Sequence, residues 1–457
     1  MSEIRDPIYG FIVPTEVEFK IINTPIFQRL RKIKQLALAN LVYPSANHTR
    51  FDHSLGVLYV ANMMAEKLLS KEENKEENDE KRKIIRLAAL LHDIGHGPFS
   101  HVSEYPLNKY SSIVPGEETE KIHEKITTHL ISTNKALKEI LIDDERQQII
   151  GLLTSKSVKP TLMRQIVSGP LDADKQDYLL RDSYFCGVKY GIYDPNRLIN
   201  TLYKYRDNGD EHLCIKHDGV NTLEQFVLAK YYMLKQVYYH KIRIVTDAMI
   251  NRGIELGIEK DNIDFLSRLY RYEEKGEYFD HFLSWWDDKF FVEMLSDKYK
   301  RTYAQNIFKN LFERNLFKKI FYIDLKQSQP DIKPLIKNKI YDINTTENEN
   351  LKKVIEKRVA EIVKVDAEYV IANSTKIKSV REMSRDSEGE ITVEKEDGNK
   401  STFLNESTVF QSIDESLRDV SFEIYSPVEY KDKKDKEEKK EIYKKEIQNI
   451  LKGIKED

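Results

Sequence analysis

Two cysteines in 457 residues, Cys186 and Cys214, cannot make a disulfide framework for a chain this long, so a reducing compartment is expected. Although 40% of the chain is hydrophobic, no uninterrupted apolar run reaches the roughly 18 residues that a membrane helix needs. The opening residues, MSEIRDPIYG, lack the basic-then-apolar pattern of a secretory signal. A soluble, cytoplasmic protein without a membrane partner is the expectation. Charge of one sign is lacking too: 33% of residues are charged, yet the net charge is only −3. That argues against obligate nucleic-acid wrapping and leaves room for a local basic pocket, because a small anionic ligand needs only a few placed cations. Internal repeats are absent.

What is present is mostly helical. Residues 1–15 carry Asp-Pro and Tyr-Gly turn signals around a short apolar stretch and read as a small hairpin. Apolar residues then recur at helical spacing from Glu16 to Leu36, with a turn at Thr24-Pro25. Buried helices are expected from Ser54 onward and over Ile84–Asp93, the second broken by Gly95, Gly97 and Pro98. Between them, residues 71–83 are almost wholly charged and read as a solvated loop or helix extension. Helical patterns continue over 120–150, 161–184 and 222–257, so the first 300 residues look mainly α. After about 315, FYIDL, EYVIA, ITVEK and FEIYSP read as strands of a smaller α/β lobe. The division expected is 1–315, 316–430, and a charged helix or tail over 431–457.

His92 and Asp93 are neighbours at the end of an apolar helix, and a lone pair of this kind is commonly a helix cap. Its company changes the weight. His53 precedes another buried helix, His96 lies one turn after His92, and His101 closes the glycine-rich turn; with His48, five of the 11 histidines fall between residues 48 and 101. A divalent transition metal takes imidazole nitrogens and carboxylate oxygens, and two histidines with two aspartates leave positions open for water and a phosphate oxygen. LDADKQDYLLRDSYF offers a further carboxylate, with Asp174, Tyr178 and Asp182 on one helical face and Lys175 beside them. His48, His129, His217 and His240 read as structural. The aromatic stretch YFDHFLSWWDDKFF (278–291) reads as core or subunit interface.

The motifs DPIYGFI, TPIFQRLRKIKQL, HTRFDHSLGV, LLHDIGHGPFSH and LDADKQDYLLRD, in this order, resemble the HD-domain deoxynucleoside triphosphate triphosphohydrolases. That group includes a vertebrate enzyme with a SAM domain and bacterial dGTPase-like enzymes; no SAM domain is expected here. The likeness extends more weakly to VYYHK (237–241) and the C-terminal lobe. It implies a mainly α HD-domain core with a metal on His53, His92, Asp93 and Asp174, of identity Fe, Mn, Ni, Zn or Mg. It also implies a catalytic group of His96, Glu104 and His123. Water would attack the α-phosphorus, giving deoxynucleoside and inorganic triphosphate, with His123 as acid, Glu104 orienting it and His96 as competitor. Arg50 and Lys175 would neutralise phosphate, Tyr178 and Asp182 would hold the sugar, Gln35 and Leu36 would meet its 3′ side, and Tyr238 would back it. His101 would also line the substrate.

Departures from the family pattern carry expectations of their own. Glu104 stands where the family has aspartate. Lys230 replaces an arginine that reaches the terminal phosphates, turning a bidentate fork into a point charge. In the activator region Asn23 replaces an aspartate and Arg5 an asparagine, while Gln28 and Arg31 remain, so a nucleotide activator other than GTP, or none, is expected there. A homo-oligomer, dimer or tetramer, is expected from the family. The alternative activity is an HD phosphohydrolase or nuclease acting on another nucleotide, a modified nucleotide or a nucleic-acid end. An open basic groove in place of a closed sugar pocket at Tyr178, Asp182 and Tyr238 would mark it. A nucleotide-sensing scaffold would announce itself by a missing metal ligand, and none is missing.

Overall fold

The structure, a computed structural model, describes residues 3–69, 74–111, 121–154, 161–324, 334–386, 389–413 and 419–454. The chain is mainly helical, with strands gathered into small sheets. It divides into two compact units, one from the described parts of 1–238, 268–290 and 380–415, the other from those of 239–267, 291–379 and 416–457. Neither is a consecutive stretch, which differs from the division expected at residue 315. The reason lies in one amphipathic helix. Lys241–Glu259 packs on Tyr303–Phe312, burying Met249, Ile250 and Ile254 with Ile307, Phe308 and Leu311, so both helices belong to the second unit.

The first unit opens with a hairpin, Ile4–Asp6 against Gly10–Ile12. Asp6 closes its turn, one carboxylate oxygen accepting from the N–H groups of Ile8 (2.8 Å) and Tyr9 (3.0 Å). The helix Glu16–Ile22 starts on a reciprocal capping box between Thr15 and Glu18. Helix Arg50–Leu68 packs against Lys75–Leu91 and Ala173–Cys186, and most of its residues are buried because neighbours cover both faces. The charged run is resolved from Lys75 as the exposed first half of the Lys75–Leu91 helix, whose second half, Ile84 to Leu91, is core; 71–73 lie outside the described residues.

Three strand readings need correction. The stretch taken as mainly α contains a hairpin, Leu202–Asp207 with Asp210–Lys216, turned by Asn208 and Gly209 at φ 51° and 91°. Thr392–Glu394, from the expected C-terminal lobe, pairs parallel with Asp210–Lys216 and so lies in the first unit. In EYVIA, Ala367–Tyr369 is a tight helical turn, and the strand runs later, over Ile371–Ile377.

The second unit is the smaller α/β one. Its antiparallel sheet has Asp419–Ser426 between Lys318–Asp324 and Ile371–Ile377. Phe422 and Ile424 on the central strand meet Ile355 and Val359 of one helix and Ile447 and Leu451 of another in a single apolar cluster. The charged final segment is therefore a helix, Lys433–Lys452, held by Tyr443, Ile447 and Leu451 at four-residue intervals. Among the described residues no helix is long and apolar enough to cross a membrane.

Candidate functional site

Three chain turns of the first unit bring the metal-type ligands together. Thr49, in a capping box with Asp52, starts the helix that carries His53 on its first turn. His92 and Asp93 lie where the helix Lys75–Leu91 ends, and Asp174 sits in the first turn of the helix capped by Asp172. His53 Nε2 lies 3.0 Å from Asp174 Oδ1 and 3.7 Å from Asp93 Oδ2; His92 Nε2 lies 3.3 Å from Asp93 Oδ1 and 3.9 Å from Asp174 Oδ1.

Ligand atoms of His53, His92 and Asp93 all lie within 4.8 Å of one another, close enough to share one cation, and Asp174 stands beside His53. Bonds of about 2.1 Å imply ligand-to-ligand edges of roughly 3.0 Å in an octahedron and 3.4 Å in a tetrahedron. The nitrogens are also in the right form. His53 Nδ1 meets Asp177 Oδ2 at 2.8 Å and His92 Nδ1 meets the Ala89 carbonyl at 2.8 Å. Both partners are acceptors, so each Nδ1 carries a proton; in His92 that leaves the Nε2 lone pair free, whereas in His53 the Nε2 faces Asp174 Oδ1 at 3.0 Å and a bound cation would take the place of the proton between them. His92 Nε2 is buried and has no hydrogen-bond partner among the described residues. A buried nitrogen left unpaired is costly, and a cation would satisfy it.

The charges agree. Burial pushes the Asp93 carboxyl up, but the Arg50 guanidinium, then His92 and His96, outweigh it and hold Asp93 well below the usual carboxylate range. Burial alone would lower His53; hydrogen bonds to Asp174 and Asp177 more than reverse that and raise it to about 10. The pocket is an acid-rich nest that prefers a positive occupant.

Beside it lies a second cluster of His96, His101, Glu104 and His123. Asp93 joins the two, its Oδ1 standing 3.1 Å from His96 Nδ1. Glu104 Oε1 is 2.8 Å from His123 Nδ1, 2.5 Å from His101 Nδ1 and 3.9 Å from His96 Nε2. Burial raises the Glu104 carboxyl, but hydrogen bonds from His101 and His123 prevail and hold it below its ordinary range. His96, fully buried and facing Arg50, is held well below the ordinary imidazole value. His101 has 57% of its side chain exposed, at the rim.

The HD domain signature matches residues 50–182, and the HD associated region matches residues 193–443. The chain belongs to the HD-domain family. HD domains bind divalent metals, and within the matched residues His53, His92 and Asp93 form a group that could hold one. This HD-domain protein is 37% identical over 265 residues to an uncharacterised protein of Methanocaldococcus jannaschii, covering 58% of this chain and 51% of that one. With human deoxynucleoside triphosphate triphosphohydrolase SAMHD1 the identity is 31% over 281 residues, covering 55% of this chain and 44% of that one. The matches thus span about half the length of these curated relatives. Among solved structures, a hypothetical protein from Aquifex aeolicus aligns at TM-score 0.67 and 28% identity over 97% of this chain and 99% of that one. A phosphohydrolase from Bacteroides thetaiotaomicron aligns at TM-score 0.70 and 24% identity over 93% and 99%, a likeness of fold.

Other residues expected at the HD-domain site have varied surroundings. Asp182 receives Tyr238 Oη at 2.6 Å and meets His48 Nε2 at 2.8 Å, with the Tyr178 ring 6.2 Å from that of Tyr238. Tyr238 ends a π-helical turn, Leu234–Tyr238, directly after the helix that carries Lys230. Gln35 and Leu36 are buried, and Gln35 Oε1 has no partner among the described residues. Arg50 is 1% exposed, bonded to Asp93 through Nη1 (2.6 Å) and to Ser100 Oγ through Nε (3.0 Å), with Nη2 unpartnered among the described residues. Two lysines expected on phosphates have protein partners. Lys175 Nζ bonds Asp172 (2.5 Å) and the Gly169 carbonyl (2.9 Å), and Lys230 Nζ bonds the Met383 carbonyl (3.3 Å). In the expected activator region Gln28 accepts from Arg31 Nε (2.9 Å), Asn23 caps its own helix, and Arg5 lies over the Phe11 ring.

Sequence reasoning missed the groups that hold the turn after His96. Phe99 and Ser100 both have positive φ, 63° and 54°, and this strained pair is pinned from outside. Asp287 accepts from Phe99 N–H (2.9 Å) and Lys34 N–H (2.9 Å), and Arg29 Nη1 donates to the His96 carbonyl (2.8 Å). Asp287 comes from the aromatic stretch, and no local pattern linked it to residue 99. Burial pushes its carboxyl up to about 6 despite those two N–H bonds. An unfolded aspartate titrates near 3.9, so between about pH 4 and 6 the folded state holds the extra proton and stability falls as pH rises, by roughly 3 kcal/mol in all. Relative to wild type, the Tm of Asp287→Asn should therefore climb across that window; a constant offset from pH 4 to 7 would show that Asp287 does not titrate there.

Proposed function

We propose that this HD-domain protein hydrolyses deoxynucleoside triphosphates to deoxynucleoside and inorganic triphosphate. What carries the reading is the continuity through Asp93, which touches both ligand histidines on one side and His96 of the His96–Glu104–His123 group on the other. The relatives named as deoxynucleoside triphosphate triphosphohydrolases support the substrate class.

In this reading His53, His92, Asp93 and Asp174 hold a divalent metal, which supplies an acidified water and neutralises phosphate charge. The unpartnered Nη2 of Arg50 meets an α-phosphate oxygen, and the free Oε1 of Gln35 accepts from a sugar hydroxyl. As water attacks the α-phosphorus, the bond to the 5′ oxygen breaks, and that oxygen takes a proton from His123, oriented by Glu104. His96, kept neutral by burial and Arg50, is the poorer proton source. Tyr178, Asp182 and Tyr238 wall the sugar, and His101, Leu36, Lys175 and Lys230 complete the surroundings. Lys175 and Lys230 grip the phosphates only after exchanging the partners they now have. A homo-oligomer and an activator site using Arg5, Asn23, Gln28 and Arg31 belong to the same proposal.

The metal-loaded protein, given each of the four dNTPs alone and in mixtures, should release inorganic triphosphate, and His92→Ala should not. Turnover of other nucleotides or nucleic-acid ends, with dNTPs left intact, would replace this reading by the alternative. Tyr238→Phe removes the hydroxyl that meets Asp182 and should lower kcat/KM by about 10- to 150-fold, a hydrogen bond to a charged group being worth roughly 1.5–3 kcal/mol. An unchanged kcat/KM would take Tyr238 out of the sugar wall.

A further inference from the structure

A buried chain of charged groups runs from the N-terminal hairpin to the metal-ligand histidine. Asp6 Oδ2 accepts from Arg181 Nη1 at 2.8 Å. Arg181 then grips Asp177 with two parallel bonds, Nε to Oδ2 at 2.8 Å and Nη2 to Oδ1 at 2.9 Å. Asp177 Oδ2 in turn meets His53 Nδ1 at 2.8 Å. His53, Asp177 and Arg181 are at most 1% exposed and Asp6 is 5% exposed. Space for this chain is kept by Gly56, where a Cβ would stand 1.9 Å from Asp177 Oδ1 and 2.3 Å from Arg181 Nη2.

We infer that Asp177, Arg181 and Asp6 are positioning residues that set the affinity of the metal centre through His53, so that the seating of the hairpin is read at the metal. The inference rests on the metal-centre reading. A carboxylate on the far nitrogen of a ligand histidine fixes its tautomer, holds its ring in plane and raises its donor strength. Here that carboxylate cannot turn, because the Arg181 fork fixes both its oxygens. The fork is in turn fixed by Asp6, whose other oxygen is committed to the hairpin turn through the N–H groups of Ile8 and Tyr9. Displacing the hairpin would free the guanidinium, let the Asp177 carboxylate rotate and loosen His53. The hairpin also carries Arg5, one residue from Asp6, in the region where an activator is expected, which makes such a ligand a lever on metal retention.

The experiment is a titration of Mn(II) into the purified full chain against a chromophoric chelator, with Tm measured in parallel. Asp177→Asn should weaken Mn(II) roughly 10- to 100-fold, the range for lost partners of ligand histidines. Asp6→Asn should weaken it by a smaller, measurable factor. The asparagine can keep its oxygen on the turn N–H groups while turning a donor toward Arg181, so this variant carries the test alone if Asp177→Asn does not fold. Glu18→Gln is the control. It breaks another buried ion pair of the same unit, Glu18 with Arg86 at 2.6 Å, and should lower Tm while leaving Mn(II) affinity unchanged. Wild-type affinity in both folded variants would overturn the relay alone. Weakening of Mn(II) by Glu18→Gln to the same degree would reduce it to a general effect of stability. Failure of the wild type to take up Mn(II) would overturn the metal-centre reading and the relay with it.

Discussion

Replacing His92 by alanine is expected to cut hydrolysis by at least about a thousandfold while leaving the protein folded, because the water activation that a bound metal supplies is lost with it. Of the four candidate ligands His92 is the cleanest to remove. Asp93 neutralises Arg50, which is 1% exposed, and its loss would strand a buried guanidinium at roughly 3–5 kcal/mol. His53 is wedged against Asp177. His92 makes one hydrogen bond, to the Ala89 carbonyl of its own helix, and its Nε2, near Asp93, has no hydrogen-bond partner among the described residues. Circular dichroism should match the wild type, and metal measured by mass spectrometry should drop. Full activity with a normal metal content would remove His92 from the centre.

The second large effect falls on stability. Gly56→Ala places a methyl group 1.9 Å from a carboxylate oxygen and 2.3 Å from a guanidinium nitrogen, both fully buried and hydrogen-bonded. Neither can retreat without breaking the Asp177–Arg181 fork, so the helix containing Gly56 must move or the pair must part. Either way a strained or unpaired buried charge results, at about 3 kcal/mol or more. For a unit of this size that lowers Tm by roughly 5 °C or more. An alanine in mid-helix would otherwise stabilise by about 1 kcal/mol, so even the sign is diagnostic. A raised Tm would show that the two helices separate easily and that the fork is not tight.

The local part of the site was legible. His92 and Asp93 are adjacent, His96 follows within one turn, and the glycines and proline that stop the helix lie in the same dozen residues. Asp174, Tyr178 and Asp182 were found by helical spacing, but Asp177 and Arg181, on the neighbouring face of that helix, were passed over. A four-residue Asp-to-Arg step was readable as an ion pair; that it was buried and aimed at His53 was not. The missed hairpin at 202–216 had its signal in Asp207-Asn208-Gly209-Asp210, a turn sequence between strand-like residues, hidden by the helical patterns on either side. Lys175 and Lys230 are expected on phosphates from the family resemblance, and only coordinates reveal the acceptors that hold them.

The sequence by itself determined the helical character, two strands of the small α/β unit (FYIDL and FEIYSP) and the ligand-type residues, because each depends on periodicity or on neighbours within about one turn. Tertiary structure alone decided that Asp287 pins residue 99, that Thr392–Glu394 joins a sheet of the first unit, and that the hairpin reaches His53 through Arg181. Those links join residues up to 188 positions apart. They arise where buried charges and backbone N–H groups must find partners once water is excluded, and which partners are in reach is a property of the packed chain.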